Sequence, residues 1–239
     1  MSIAIDTTSA GTKGAGVNSI SWTHTVSASL SNSILTVQAT TAKNPINSIS
    51  TVAWNGSTTG WSKTVNSVAA TQSDSDGGLL ALAEFWYLLA PAAGTFTVLV
   101  TPTAGATEMT GGSASFSGVA QSSTFNAASP QKNARTGSIN PTTTVTSATG
   151  EMCIDSVCLE LVNIPTAVVG AGQTQITNQN NGNFTSMGLG SYEAGAATVV
   201  MDWTGLNNAN NVGTGQVCVS MIPAAADDAA IPLMGQIWQ

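Results

Sequence analysis

The clearest structural signal in this chain is the stretch Glu84-Phe-Trp-Tyr-Leu-Leu-Ala-Pro-Ala-Ala-Gly-Thr-Phe-Thr-Val-Leu-Val-Thr101. Its first part belongs to a continuous apolar run at 79–89, which is typical of a strand covered on both faces. Its second part, 95–101, alternates polar and apolar residues with the period of two that marks a strand. The loop between them holds a proline and ends on a glycine, so we predict a β-hairpin here.

Similar short runs of β-branched and aromatic residues lie on both sides of this stretch. No segment has the periodicity of an amphipathic helix of convincing length. The sequence therefore predicts an all-β fold, an antiparallel β-sandwich of jelly-roll type in which the connections remove most exposed edges. Further strands are predicted at 20–26, 33–39, 50–54, 61–68, 113–119, 138–146, 151–161, 173–177, 197–203 and 216–222.

The composition agrees with this fold class. Charged residues make up 7% of the chain, far below the usual ~25%, and the difference is filled by Ser, Thr, Asn, Gly and Ala. Only five cations are present, and they are scattered: Lys13, Lys43, Lys63, Lys132 and Arg135. With a net charge of −7, the chain lacks the clustered basic residues that nucleic acids or anionic membranes require as partners.

No charged or proline-rich linker divides the chain, so we predict one sandwich domain at 1–223 and an extended C-terminal arm at 224–239. The polar stretches 121–140 and 178–190 are predicted to be long surface loops. The arm ends in apolar residues, which usually dock on the same subunit or on a neighbour. The residues predicted to contact a partner are Ile231, Leu233, Met234, Ile237 and Trp238.

The N-terminus lacks the basic start and the apolar run of a secretory signal peptide. The longest apolar stretch is also too short to cross a bilayer. We therefore expect a protein that is made in the cytoplasm without a signal peptide.

Residues capable of chemistry are few. His24 is the one histidine, and it shares a strand face with Ile20, Trp22 and Val26, so a packed position is favoured over a catalytic base. The twelve acids are dispersed, and the pairing of acids across strands cannot be read from sequence. The stretch from Asp74 to Gly77 resembles the start of a calcium loop but lacks the later acidic ligand, which favours a turn.

The three cysteines predict no disulfide framework. Cys153 and Cys158 are five residues apart in one predicted strand, so their side chains point to opposite faces. Together with Cys218 they are interpreted as buried structural thiols, because a zinc site would need closer spacing and more ligands. No cofactor and no metal is predicted, and the chain is expected not to be an enzyme.

The tryptophans leave two interpretations open. Four of them fall in predicted strands, where core packing is their default role: Trp22, Trp54, Trp86 and Trp203. Trp61 is predicted to lie either in the core or at its rim. Tryptophans exposed beside Asn and Asp would instead form a carbohydrate-binding face.

The quoted stretch, followed by Ala114-Ser-Phe-Ser-Gly-Val119, resembles a block of the jelly-roll modules in tailed-phage virion proteins and some bacterial surface proteins. Ile34-Leu-Thr-Val37 and Val52-Ala-Trp-Asn-Gly56 are similar to the strands that precede this block, and Val199-Val-Met-Asp-Trp203 resembles its second half. The resemblance covers most of the chain. It implies a scaffold without a catalytic signature.

Three functions follow as hypotheses. The first is a non-enzymatic virion protein that decorates or cements a phage capsid, bound to the major capsid protein or to copies of itself as a homo-oligomer. The second is a carbohydrate-binding or receptor-binding module of a tail fibre or adhesin, with a glycan as its partner. The third is a glycoside hydrolase, which would need two carboxylates about 5–10 Å apart in a cleft.

Overall fold

The computed structural model describes residues 2–43, 47–63, 68–69, 80–105, 107–128, 131–136, 140–161, 166–180, 186–206 and 211–225. Within these ranges every helix or strand element is a β-strand, and every strand pairing is antiparallel. The predicted all-β antiparallel sandwich is confirmed. Its jelly-roll type stays a prediction.

The strands fall into two successive groups along the chain. The first group is β1 Ala4–Val17, β2 Ile20–Val26, β3 Ile34–Lys43, β4 Ile49–Trp54, β5 Trp61–Lys63, β6 Val68–Ala69, β7 Leu80–Leu89, β8 Gly94–Pro102 and β9 Thr107–Ser117. The second group is β10 Gln131–Thr136, β11 Thr142–Thr146, β12 Met152–Leu161, β13 Val168–Val169, β14 Thr174–Asn180, β15 Ser186–Ala194, β16 Thr198–Thr204 and β17 Asn211–Met221.

The two groups have the same topology. In the first group, sheet I has the strand order β1-β9-β3-β7-β5, with β6 also paired to β7, and sheet II has the order β2-β8-β4. In the second group, sheet III has the order β10-β17-β12-β15-β14, and sheet IV has the order β11-β16-β13. The orders correspond strand for strand, so the chain contains two structural repeats: repeat 1 (β1–β9) and repeat 2 (β10–β17).

The four sheets stack in the order II, I, III, IV, because three apolar layers join them. Between sheets II and I lie Trp22, Leu35, Val37, Val98 and Met109. Between sheets I and III lie Ile34, Phe85, Phe116, Ile154 and Val219. Between sheets III and IV lie Val145, Val157, Leu159, Met201 and Trp203. Each fully buried aliphatic or aromatic side chain contributes roughly 1.5–3 kcal/mol, so these layers are the main source of stability.

The central layer also contains glycines that bring sheets I and III close together. A Cβ atom on Gly188 of β15 would lie 1.6 Å from Thr110 Oγ1, and one on Gly112 of β9 would lie 2.5 Å from Thr177 Cβ. No side chain fits at these positions without displacing the opposite sheet. Beside them, the hydroxyl oxygens of Thr40 and Thr110 lie 2.6 Å apart in a hydrogen bond.

The predicted hairpin at 84–101 is wrong, although both of its strands exist. β7 pairs with β3, β5 and β6 in sheet I, while β8 pairs with β2 and β4 in sheet II. The loop between them crosses from one sheet to the other. The two strands therefore lie on opposite sides of the core between sheets II and I. Val98 of β8 belongs to the apolar cluster there, and Trp86 of β7 packs against that cluster.

The two predicted long loops are also partly wrong. The stretch 121–140 contains β10, and the stretch 178–190 contains the end of β14 and the beginning of β15. β10 is an edge strand, and edge strands are commonly polar. β15 carries Gly188 and Gly190, which read as loop residues in the sequence but are required by the close approach of sheet I. The edge strand β1 was not predicted either, because it is rich in glycine and hydroxyl residues.

The single-domain prediction for 1–223 stays a prediction, to which the structure adds the two repeats. The contact residues predicted in the arm, Ile231 to Trp238, lie outside the described residues. Of the arm itself, only Ala224 and Ala225 are described.

Candidate functional site

Repeat 1 encloses a histidine between its sheets. His24 lies on the inward face of β2 and is 1% exposed. Its Nδ1 atom lies 2.9 Å from Ser9 Oγ and 3.0 Å from Ser113 Oγ. Its Nε2 atom lies 3.2 Å from Thr7 Oγ1 and 3.1 Å from Ser115 Oγ. The prediction of a packed strand histidine is confirmed.

The neighbours of His24 fix the direction of its hydrogen bonds. Trp22 Nε1 donates to Ser113 Oγ at 2.9 Å, which leaves the Ser113 hydroxyl hydrogen free to be donated to His24 Nδ1. Ser115 Oγ donates to Asp6 Oδ2 at 2.7 Å, so Ser115 Oγ accepts from His24 Nε2. We assign the Nε2-protonated tautomer from this network.

Neither buried serine beside the imidazole is placed as a nucleophile. Ser115 donates its hydroxyl hydrogen to Asp6 and not to His24, and Ser113, which donates to His24 Nδ1, is 0% exposed. Burial lowers the pKa of His24 to about 4, against the opposing effect of the Asp6 charge. The imidazole is therefore neutral at pH 7, and the group forms a structural network that ends at the half-buried residues Asp6, Thr7 and Ser9 of β1.

Repeat 2 encloses a carboxylate instead. Asp155, in β12, is 0% exposed. Its Oδ1 atom accepts hydrogen bonds from Ser191 N at 2.7 Å and Ser191 Oγ at 2.8 Å. Its Oδ2 atom accepts from Trp203 Nε1 at 3.0 Å and Gln216 Nε2 at 3.1 Å. Thr143 Oγ1 in turn donates to Gln216 Oε1, so donors from four other strands orient this network.

Burial raises the pKa of Asp155 to about 6, although its four hydrogen bonds act in the other direction. The carboxyl group is therefore mostly ionised at pH 7. It lies without contact to solvent, which places it out of reach of a substrate. The sequence interpretation missed this centre. Its signal was an aspartate within the otherwise mostly apolar strand Met152–Leu161.

The three cysteines are free and buried, as predicted. Cys153 and Cys218 lie in the cluster between sheets III and IV, while Cys158 lies in the cluster between sheets I and III. Burial raises the pKa of Cys158 to about 12 and that of Cys218 well above its usual value. Both thiols are therefore protonated at pH 7, which disfavours nucleophilic or redox chemistry.

One pair of acids that the sequence left unpaired is brought together. Both carboxyl groups lie against the turn 170–173. A Cβ atom on Gly172 would stand 2.6 Å from Glu193 Oε1, and one on Gly170 would stand 1.8 Å from Asp202 Oδ1. Burial raises the pKa of Glu193, and the neighbouring Asp202 raises it further. No group of three or more metal-ligating side chains occurs among the described residues.

The tryptophans in the described residues form no exposed aromatic face. Trp22, Trp54 and Trp203 are buried, as predicted for core residues. Trp86 and Trp61 are half-buried against the core between sheets II and I. Tyr87 and Tyr192 likewise pack against the central layer.

The outer face of sheet II is a surface of small hydroxyl side chains, which we call face II. Its exposed residues are Ser21, Thr23, Thr25, Thr51, Thr95, Thr97 and Leu99. None of these side chains is charged. Leu99 stands in the central strand β8, between Ser21 of β2 and Ala53 of β4, and it is 39% exposed.

The outer face of sheet IV, which we call face IV, is similar but includes one charged side chain, the half-buried Asp202 of β16. Its exposed residues are Thr144, Thr146, Val168, Thr198, Val200 and Thr204. Val200 stands in the central strand β16, opposite Thr144, and is 50% exposed. Of the four exposed large apolar residues in the described part of the chain, Leu99, Val168 and Val200 lie on these two faces.

A groove of about 400 Å³ lies at the seam between the repeats. One wall is polar and is formed by Asn32, Gln121, Ser122 and Ser123, and the other is formed by 222–225. Backbone hydrogen bonds hold these segments together: Ala120 N donates to Ile222 O at 2.9 Å, and Val119 N donates to Asn32 O at 2.8 Å. Among the described residues that line the groove, none has a carboxylate.

Two sequence-based predictions stay untested by this geometry. The calcium-like stretch from Asp74 to Gly77 lies outside the described residues, as do the contact residues of the arm.

Within the described ranges, no helix has the length and apolar character required to cross a membrane.

Comparisons with protein-family models, with curated proteins and with solved structures gave no match to this chain.

Proposed function

We propose that this chain is a non-enzymatic structural protein of a tailed-phage particle that decorates or cements the capsid surface. Its partners would be the major capsid protein or further copies of itself, in a homo-oligomer. The protein would be made in the host cytoplasm and reside in the virion. The resemblance of 84–101 and the flanking strands to virion modules supplies the class of particle.

Faces II and IV carry this proposal. They lie at the two ends of the four-layer stack, about 30 Å apart at roughly 10 Å per pair of sheets, and they point in opposite directions. A protein with two such faces is suited to join two neighbours. The exposed side chains of face II are uncharged, so contact through face II requires no desolvation of ions. Face IV has one charged side chain, the half-buried Asp202, so contact there involves a single ion.

The interior of each repeat supports a structural role. His24 and Asp155 are both enclosed, with their polar atoms hydrogen-bonded within the protein. A further buried acid of repeat 1, Glu84, likewise accepts hydrogen bonds from Lys63 and Trp86. The part of the groove lining that the structure describes contains no acid. The glycan-binding alternative predicts an exposed aromatic face, and the described aromatic residues give it no support.

The proposal is tested on particles. A phage that lacks this gene is complemented with the wild-type chain, with Leu99→Glu, with Val200→Glu, or with Thr58→Glu as a control for added charge at an exposed turn. We expect wild type and Thr58→Glu to co-sediment with particles, and the face variants to be lost from them at least tenfold. Heads that lack the protein should also rupture at lower temperature.

Two results would reject the proposal. One is that purified particles never contain the protein. The other is that heads lacking it are normal in negative-stain images and equally stable to heat. Retention of both face variants on the particle would exclude faces II and IV as the contact surfaces.

A further inference from the structure

The groove at the seam is shaped by both repeats. Residues 31–33 come from the β2–β3 connection of repeat 1, residues 118–124 connect the two repeats, and residues 222–225 follow the last strand of repeat 2. Gly118 N donates to Ser31 O at 3.0 Å, and Ala224 N donates to Gly118 O at 2.7 Å, so all three segments are fixed to one another. The volume of about 400 Å³ is within the range of sites that bind a few side chains.

The lining of the groove has two kinds of surface. Ala120, Ile222, Pro223 and Ala224 provide apolar groups, while the polar wall provides amide and hydroxyl groups. Asn32 and Ser123 both have positive φ angles, of 51° and 49°. Such backbone conformations are uncommon for residues other than glycine, and they cluster at binding sites. An uncharged extended peptide with apolar side chains matches this combination.

The chain itself supplies such a peptide. The last fourteen residues, 226–239, directly follow Ala225 in the sequence, and Ala224 and Ala225 belong to the lining of the groove. After Asp228 they contain no charged side chain, and they end in Ile237-Trp238-Gln239. Fourteen residues reach about 46 Å when extended, which is enough to reach an adjacent molecule.

We propose that the arm of one copy binds the groove of a neighbouring copy. The seam is then the acceptor site of a subunit contact, and the arm is its donor. Binding to the groove of the same copy is the alternative, and it predicts a chain that stays monomeric at all concentrations. This inference rests on the proposed function in one respect, which is that both require contacts between copies.

The test uses the full-length chain in solution, with molar mass measured by light scattering and sedimentation velocity from about 1 µM to about 1 mM. We expect wild type to associate as its concentration rises. Trp238→Glu removes the donor and Ser122→Trp fills the acceptor, so each variant alone should remain monomeric. Mixing the two variants should restore a heterodimer, because one keeps its groove and the other keeps its arm.

Controls separate this contact from folding and from the outer faces. Ser122→Ala keeps the groove open and should associate like wild type. Far-UV circular dichroism establishes that each variant is folded, and Ala225→Arg replaces Ser122→Trp if the latter does not fold. A synthetic peptide of 226–239 added in excess should dissociate wild-type oligomers.

Several outcomes would overturn the proposal. They are a wild-type chain that stays monomeric throughout, oligomers that both variants preserve, or a mixture of the two variants that does not associate. If Leu99→Glu abolishes association and Trp238→Glu does not, the contact between copies lies at face II instead. This experiment uses no particles. Its failure would reject the contact between arm and groove, and the proposed function would still be decided by the particle-binding test.

Discussion

Repeats 1 and 2 share a strand order but enclose different chemistry. Repeat 1 holds a neutral histidine among hydroxyl groups, and repeat 2 holds a carboxylate among four donors. By contrast, the outer faces of the two repeats are similar, each with one exposed apolar residue in its central strand, Leu99 or Val200, and mostly small hydroxyl side chains around it. Face IV differs by the half-buried Asp202. The feature common to both repeats is therefore on the surface, where we place the function.

The comparison also shows what a polar group in a core requires. His24 is uncharged when buried, so its neighbours need only complete its hydrogen bonds. Asp155 is buried as an ion at neutral pH, so it needs donors from several strands at once. We expect repeat 2 to be the more sensitive of the two to changes at its centre.

Asp155→Ala should have the largest effect on stability. It removes the acceptor for four donors and leaves them unpaired in the core, which costs about 3–5 kcal/mol of the free energy of unfolding. Urea denaturation followed by tryptophan fluorescence measures this loss. Asp155→Asn, which keeps the shape and one acceptor, should lose less, and a loss below about 1 kcal/mol for the alanine variant would refute the role of this network.

His24→Ala should destabilise the protein by about 2–3 kcal/mol, because it creates a cavity and leaves Ser113 and Ser115 without their shared partner. The same denaturation experiment gives the value. His24→Gln retains polar atoms and should recover part of the loss. If the loss for His24→Ala exceeded that for Asp155→Ala, the proposed difference between the repeats would be wrong.

Gly188→Ala should cost about 1–3 kcal/mol by overpacking the layer that joins the repeats. Its Cβ atom would stand 1.6 Å from Thr110 Oγ1. Thr110→Ala removes that atom, so the double variant should be more stable than the sum of the two single effects predicts. Additive effects within about 0.3 kcal/mol would indicate that the two residues are not in contact.

Leu99→Glu and Val200→Glu should have the smallest effects, within about 0.5 kcal/mol of wild type, because both side chains are exposed on outer faces. Thermal unfolding of the isolated chain measures this. Near-neutral stability combined with loss from particles is the pattern that a contact surface produces. A loss of several kcal/mol would instead assign these residues to the folded core.

The sequence predicted individual strands well, because burial on alternate positions leaves a period of two. β2, for example, is found at the residues predicted for it, with His24 and Trp22 facing inward. Strands rich in glycine and hydroxyl residues, such as β1 and β15, were missed. Their composition is set by a sheet edge and by close sheet contact, which are properties of the tertiary structure.

The sequence pattern predicts neither which strands pair nor the presence of two structural repeats. β7 and β8 are adjacent in sequence, yet their hydrogen bonds go to different sheets, because each meets partners distant in the chain. The two repeats share topology more than residue identity, so their sequences are similar only in short segments, such as those before Val98 and Val199. Asp155 is one of three buried acids among the described residues, with Glu84 and Glu160, and nothing in the sequence pattern separates these from the exposed acids.

The pH dependence of the two repeats gives the most direct measurement. The pKa of His24 is lowered to about 4 in the fold, so the network around His24 in β2 and β9 loses stability as the pH falls from 6.5 towards 4, where the unfolded chain binds the proton more readily. Burial raises the pKa of Glu84 in β7 of the same repeat, so that strand responds in the opposite direction. The pKa of Asp155 is raised to about 6 from 3.8, so repeat 2 gains stability as the pH falls through 6 towards 4. The pKa of Asp6, beside His24, is lowered below its usual value by its hydrogen bonds and by His24, despite burial, so Asp6 stays ionised in this range.

Hydrogen exchange at pH 7 and pH 5, corrected for the intrinsic rates and resolved by peptide, separates these contributions. We predict that at pH 5 protection falls in β2 and β9 of repeat 1 and rises in β12 and β17 of repeat 2. Changes of the same sign in both repeats would contradict the conclusion that one topology encloses two opposite kinds of polar centre.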